Sequence, residues 1–127
     1  MTGAPIAREI ASRFDSALQH HRKGDVSRAA TLYRAVLAEQ PDHVGALHLL
    51  GVAEAQSGRL TEAVRLLSVA ARVRPEEAAI HVNLGNALAE LGRLEEGLAS
   101  YDRALAAKPN AADALTNRAT TLVRLHR

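Results

Sequence analysis

The chain of 127 residues contains no cysteine and no tryptophan. Without cysteine there are no disulfides, thiolate zinc sites or thiol nucleophiles. Aromatics make up only 2% of the residues, one Phe and two Tyr. Base-stacking platforms are therefore unsupported, and a core must be built from Ala, Leu and Val. There is no apolar run of about 18 residues, so no membrane span is expected. The opening Met1-Thr2-Gly3-Ala4-Pro5 lacks the basic and then apolar order of a secretory leader, and the default location is cytoplasmic. No block of about five like charges occurs, so no nucleic-acid partner is expected. The net charge is +2. The pI of about 9.5 reflects arginine outnumbering lysine 14 to 2, a bias that suits a GC-rich bacterial genome.

Chemistry-bearing constellations are also missing. Neither a phosphate-binding P-loop nor a dinucleotide fingerprint occurs. The six histidines (His20, His21, His43, His48, His81 and His126) lack the i, i+4 pairing with a third ligand that a zinc site needs. Glu76-Glu77 and Glu95-Glu96 are expected in first helical turns, where the macrodipole favours anions. The expectation is a non-enzyme with no metal and no cofactor.

What is present is apolar content of 47%, rich in strong helix formers and poor in strand-favouring residues. An all-α chain follows. Two ladders of breakers divide it. Pro41, Pro75 and Pro109 are 34 residues apart, as are Gly24, Gly58 and Gly92, and the ladders are offset by 17 residues. Other columns keep the step: Ala17, Gly51, Gly85 and Ala119 are small, as are Ala29, Ala63 and Gly97, while Tyr33, Leu67 and Tyr101 are large. Small columns facing large ones let paired helices approach and interdigitate. The spacing predicts helices over 5–23, 25–39, 43–57, 60–73, 77–91, 94–107 and 111–126. Pro5 suits a first helical turn. Asp25, Asp42 and Asn110 are expected N-caps, and Asn110 with Asp113 resembles a capping box. The glycines are expected to end first helices in the left-handed conformation. Gly45 is expected to leave room beside His48, and Gly97 to permit close helix packing.

The residues Asn83-Leu84-Gly85-Asn86-Ala87-Leu88 followed by Gly92, Gly97, Tyr101, Ala104 and Pro109, and the set Leu50-Gly51, Gly58, Ala63, Leu67, Ala70 and Pro75, resemble the tetratricopeptide repeat (TPR). The likeness is looser in the first repeat, where Arg13 and Ser16 replace large apolar residues, as suits a terminal repeat facing water. The family's frequent tryptophan is replaced by Leu47, His81 and Leu115. The resemblance implies a right-handed superhelical solenoid of antiparallel helix pairs. It forms a single domain over 1–127, with repeats 10–43, 44–77 and 78–111 and a terminal helix over 112–127. That helix keeps Leu115, Ala119, Leu122 and Leu125 on a face whose partner helix is missing. Either it is a capping helix, or the face is covered by more chain or by another copy, giving a homo-oligomer.

The resemblance further implies a protein or peptide partner held in a concave groove lined by first helices. The stripe is Phe14, Asp15 and Leu18; His48, Leu49 and Val52; Val82, Asn83 and Asn86; then Thr116, Asn117 and Thr120. Ala11, Gly45, Ala79 and Asp113 lie one turn earlier. The stripe is apolar in front and rich in amides behind, and amides both donate and accept. Arrays of the nucleocytoplasmic sugar-transferase type carry an asparagine ladder here; Asp15, Leu49, Asn83 and Asn117 match it in their second half. Carboxylate-clamp arrays use lysine and asparagine on the early groove helices, at places matched here by Phe14 and Leu18, then Ala79 and Asn83. The cations are missing, so binding of acidic tails in that manner is not expected. The alternative function is an accessory region ahead of a glycosyltransferase or sulfotransferase.

Overall fold

A computed structural model describes the backbone of residues 3–126 and the side chains of residues 6–126. Met1, Thr2 and Arg127, which the sequence reading places in the same unit, lie outside the described residues. Among the described residues there are seven α-helices and no strand: α1 (Gly3–Arg22), α2 (Val26–Glu39), α3 (Val44–Gln56), α4 (Leu60–Val73), α5 (Ala78–Glu90), α6 (Leu94–Ala107) and α7 (Ala112–Leu125). Each helix packs on its neighbours in the sequence, the firmest packing being within the pairs α1–α2, α3–α4 and α5–α6. The result is an all-α solenoid.

The two breaker ladders end helices by different means. Gly24, Gly58 and Gly92 have φ of 84°, 83° and 82°, a region that costs glycine nothing. Each closes a Schellman motif. At Gly24, its own N–H donates to His21 O at 3.0 Å and the N–H of Asp25 donates to His20 O at 2.8 Å, and the pattern recurs at Gly58 and Gly92. The prolines follow extended residues such as Gln40 (φ −137°, ψ 86°), because a residue before proline is pushed out of the helical region.

Three capping expectations are corrected. Asp25 does cap α2, its carboxylate accepting from Arg28 N. The cap of α3, however, is His43, whose Nδ1 accepts from Ala46 N at 3.0 Å; Asp42 lies one residue too early. Ala111 occupies the same place for α7 without a side-chain bond, so neither Asn110 nor an Asn110–Asp113 capping box operates. Glu77 is likewise the N-cap of α5, with Glu76 before it, whereas Glu95 and Glu96 do lie in the first turn of α6. The proline loops run one residue longer than read.

The core fills the space between helix pairs. Tyr33 and Tyr101 are fully buried at equivalent places. A Cβ on Gly85 would lie 2.6 Å from the Tyr101 ring, and one on Gly51 2.6 Å from Leu67 Cγ, so the small columns are sockets for the large ones. A Cβ on Gly97 would meet Gly85 O at 3.2 Å, and there two backbones approach closely. Burying such side chains stabilises by about 1.5–3 kcal/mol each. At the far end, Leu115 and Val123 of α7 are half exposed.

Candidate functional site

First helices supply the groove because their pairing with second helices fixes which face is left over. On α5, Leu84, Leu88 and Gly85 are buried, which turns Asn83 and Asn86 outward onto one stripe. Three hollows follow that stripe. One of about 400 Å³ lies between α5 and α7, lined by Ala79, Val82, Asn83, Lys108 and Asp113 among others. A second, of about 180 Å³, lies between α3 and α5 and includes Val52, Gln56, Asn83, Asn86 and Glu90. The third, about 320 Å³, includes Asn86, Glu90, Tyr101, Asn117, Thr120 and Arg124. Asn83 borders the first two and Asn86 the last two, so the three form one interrupted cleft.

The amides are partly spent inside the protein. Asn83 Nδ2 donates to His48 Nε2 at 2.8 Å, which places the imidazole proton on Nδ1. Asn86 Oδ1 accepts from the Tyr101 hydroxyl at 2.7 Å and from Asn117 Nδ2 at 2.9 Å. Among the described residues no side-chain bond engages Asn83 Oδ1, Asn86 Nδ2 or Asn117 Oδ1. Each amide is therefore oriented by one end and offers the other. Burial pushes the His48 imidazole below its ordinary 6.5, opposed by the Glu77 carboxylate. It also pushes the Tyr101 hydroxyl up, which keeps that group a neutral donor to Asn86.

Val52, Val82, Asn83, Asn86, Asn117 and Thr120 come together along the cleft. Thr116 is exposed and lines none of the three hollows. The front residues do not join it. Phe14 is half-buried, its ring 4.7 Å from His43 and 6.0 Å from Tyr33. Gly45 makes room for it: a Cβ there would lie 2.7 Å from Phe14 Cζ. The space read beside His48 belongs to Phe14. Leu49 packs partly buried on the first core cluster, and Leu18 is half-buried outside the three hollows. Sequence reading missed a rim column. Arg22, Gln56, Glu90 and Arg124 stand one period apart, and the last three border the cleft. Their spacing was the available signal.

Among the described residues, no group of three or more His, Asp or Glu is placed to hold a metal ion, and no helix is long and apolar enough to cross a membrane.

Known proteins resemble this arrangement. The tetratricopeptide repeat family model matches residues 14–72 and 62–112. An O-GlcNAc transferase mutant of Thermobaculum terrenum is 34% identical with a TM-score of 0.86 over 91% of this chain, which spans 22% of the transferase. MamA of AMB-1 is 28% identical with a TM-score of 0.82, over 93% of this chain and 64% of MamA. The first TPR of Spaghetti (RPAP3), bound to the HSP90 peptide SRMEEVD, shares the fold at 17% identity, with a TM-score of 0.91 over 94% of this chain and 95% of that one. Periodic breakers, socketed tyrosines and the family match together make this chain a member of the tetratricopeptide repeat family, a fold that generally serves as a protein-interaction module.

Proposed function

We propose that the chain holds an extended segment of a partner protein in the cleft along α3, α5 and α7. The observation that carries this is the row of half-engaged amides at Asn83, Asn86 and Asn117 bordering connected hollows. Backbone carbonyls and N–H groups of an extended chain match such amides without a sequence requirement, and the hollows take alternate side chains. The front residues Phe14, Leu18 and Leu49 meet an apolar end of the ligand, and His48, bonded to Asn83, stands between them and the amides. Residues 1–127 act as one unit in this reading, with repeats 10–43, 44–77 and 78–111 and helix 112–127.

Asn86→Asp and Val52→Glu test it. Aspartate retains the two acceptor bonds to Tyr101 and Asn117 but loses the outward donor and adds charge. Both variants are expected to abolish capture from a random-peptide display library while helical circular dichroism is unchanged. Capture that survives both removes the cleft as the site. A second reading is favoured by the 34% identity to a small part of an O-GlcNAc transferase: an accessory, substrate-recruiting region of a larger enzyme. Sequencing the gene past the Arg127 codon decides it, since an immediate stop codon removes that reading.

A further inference from the structure

The repeat allows each place to be compared with its equivalent 34 residues earlier, and one pair of places differs in what fills it. On the outer side of α3, the Glu54 side chain is only 4% exposed. Its carboxylate accepts from Arg59 Nε and Nη2, both at 2.8 Å, and from Nη2 of Arg34 on α2 at 3.0 Å. Leu66 of α4 is buried in the adjoining core. One period on, Ser68 stands for Arg34, Leu88 for Glu54 and Ser100 for Leu66. Two long side chains have shrunk to serine. A hollow of about 290 Å³ opens there between α4 and α6, with the buried Leu84, Leu88 and Ser100 as its floor. It lies about 150° round α5 from Asn83 and Asn86, so it is separate from the cleft.

The rim carries charge that the protein does not balance. Arg93 pairs with Glu96. Arg103 borders the same hollow and has no ion pair among the described residues. Val69 and Ala35 hold its place in the earlier repeats, so this cation is particular to the open junction.

We propose that the hollow is a second docking site, taking a partner-protein segment in which a leucine-sized aliphatic side chain lies next to a carboxylate. The preceding repeat shows the fit, because its own Leu66 occupies the place that Ser100 leaves. Apolar contact with Leu84, Leu88 and Val64 holds the aliphatic group. The Arg103 guanidinium, whose fork matches a carboxylate, receives the acid. The hollow admits one side chain, so a free tripeptide should bind with a Kd on the order of 1 mM.

Amide chemical shifts of the 15N-labelled full chain test this with three probes: acetyl-Glu-Leu-Glu-amide, acetyl-Glu-Ala-Glu-amide and acetyl-Lys-Leu-Lys-amide. The first is expected to shift Ser68, Leu88 and Ser100 saturably, and the other two to bind about tenfold more weakly. Ser100→Leu, which restores the earlier repeat's side chain, should abolish the shifts. Arg103→Ala, at an exposed position that leaves the fold intact, should weaken binding about tenfold. Equal shifts from all three peptides, no saturable shift, or indifference to Arg103→Ala overturns the proposal. Shifts at these amides that grow with protein concentration alone assign the hollow to a second copy, and overturn it as well.

Discussion

The front of the array, α1–α3, and its back, α5–α7, use the same columns but close them with different chemistry. In front, the Tyr33 hydroxyl donates to His21 Nδ1 at 2.9 Å, and His21 Nε2–H donates on to Gln56 Oε1 at 2.8 Å. The imidazole is fully used, and Phe14 covers the tyrosine ring. At the back, the equivalent Tyr101 donates to Asn86, whose amide N–H₂ stays outside the bond. Column position thus sets side-chain size, while the acceptor chosen for the tyrosine decides whether polar capacity is consumed or offered. The histidine acceptor has both ring nitrogens engaged, and the asparagine acceptor keeps its amide N–H₂ free of side-chain bonds among the described residues.

The firmest way to break this comparison is through the glycines beneath the two aromatic residues. A Cβ at Gly85 would lie 2.6, 2.8 and 3.0 Å from three atoms of the Tyr101 ring, which is buried and tethered by its hydroxyl. Overpacking of this kind costs about 1–3 kcal/mol and outweighs the roughly 1 kcal/mol of helix propensity gained. Gly85→Ala is therefore expected to lower stability by up to about 2 kcal/mol in urea unfolding. Gly45→Ala meets His43 Cε1 at 3.2 Å and, most closely, the outer end of the half-buried Phe14 ring at 2.7 Å. That ring can swing, and the net change should stay within about 0.5 kcal/mol. Equal losses would mean that front and back are equally rigid.

The second test sets the buried acid in front against the leucine that replaces it behind. The hydrogen bond from Arg59 holds the Glu54 carboxyl below its ordinary 4.5, outweighing burial. A depressed folded-state value contributes stability that is complete above the unfolded-state value and is lost as pH falls through the folded one. Stability should therefore decline below about pH 4.5 with a component that Glu54→Gln lacks. At neutral pH Glu54→Gln should cost about 1–2 kcal/mol, because Arg34 and Arg59 are half-exposed and can hydrate. An unchanged acid limb in thermal unfolding at stepped pH would show that this carboxylate is not what joins the first repeat to the second.

Residues that act alone were legible in the sequence, and residues that act across the repeat were not. Glycine and proline impose their own backbone geometry, so the two ladders predicted all seven helices, and those over 60–73 and 94–107 agree with α4 and α6 to the residue. Tyr33 and Tyr101 declared themselves as core by size and period. Caps were read less well, because Asp42 and Asn110 have the right chemistry one residue before the place where the backbone enters the helix. The burial of Glu54 depends on Arg34, which lies on another helix 20 residues away. The division of the groove into a closed front and an open back rests on bonds spanning 31 and 35 residues, Asn117 to Asn86 and Asn83 to His48. Periodicity puts such residues on one stripe without telling which ends of their amides are spent.

His48 stands at the seam between the two halves, and its titration carries the smallest expected effect. With its folded-state value below 6.5, it binds fewer protons than the unfolded chain between that value and 6.5. Its contribution to stability is thus complete above pH 6.5 and lost as pH falls through the depressed value. Once protonated, Nε2 donates and can no longer accept from Asn83. The Asn83 amide must then turn its oxygen to the histidine and its N–H₂ to the cleft, so that its offered group changes from acceptor to donor. Imidazole nitrogen shifts across a pH series check this. The neutral form should carry its proton on Nδ1, with a midpoint below 6.5. A proton on Nε2 in the neutral form would mean that the histidine does not accept from Asn83 and that the two halves of the groove are not joined there, while a midpoint at or above 6.5 would mean that the Glu77 carboxylate outweighs burial.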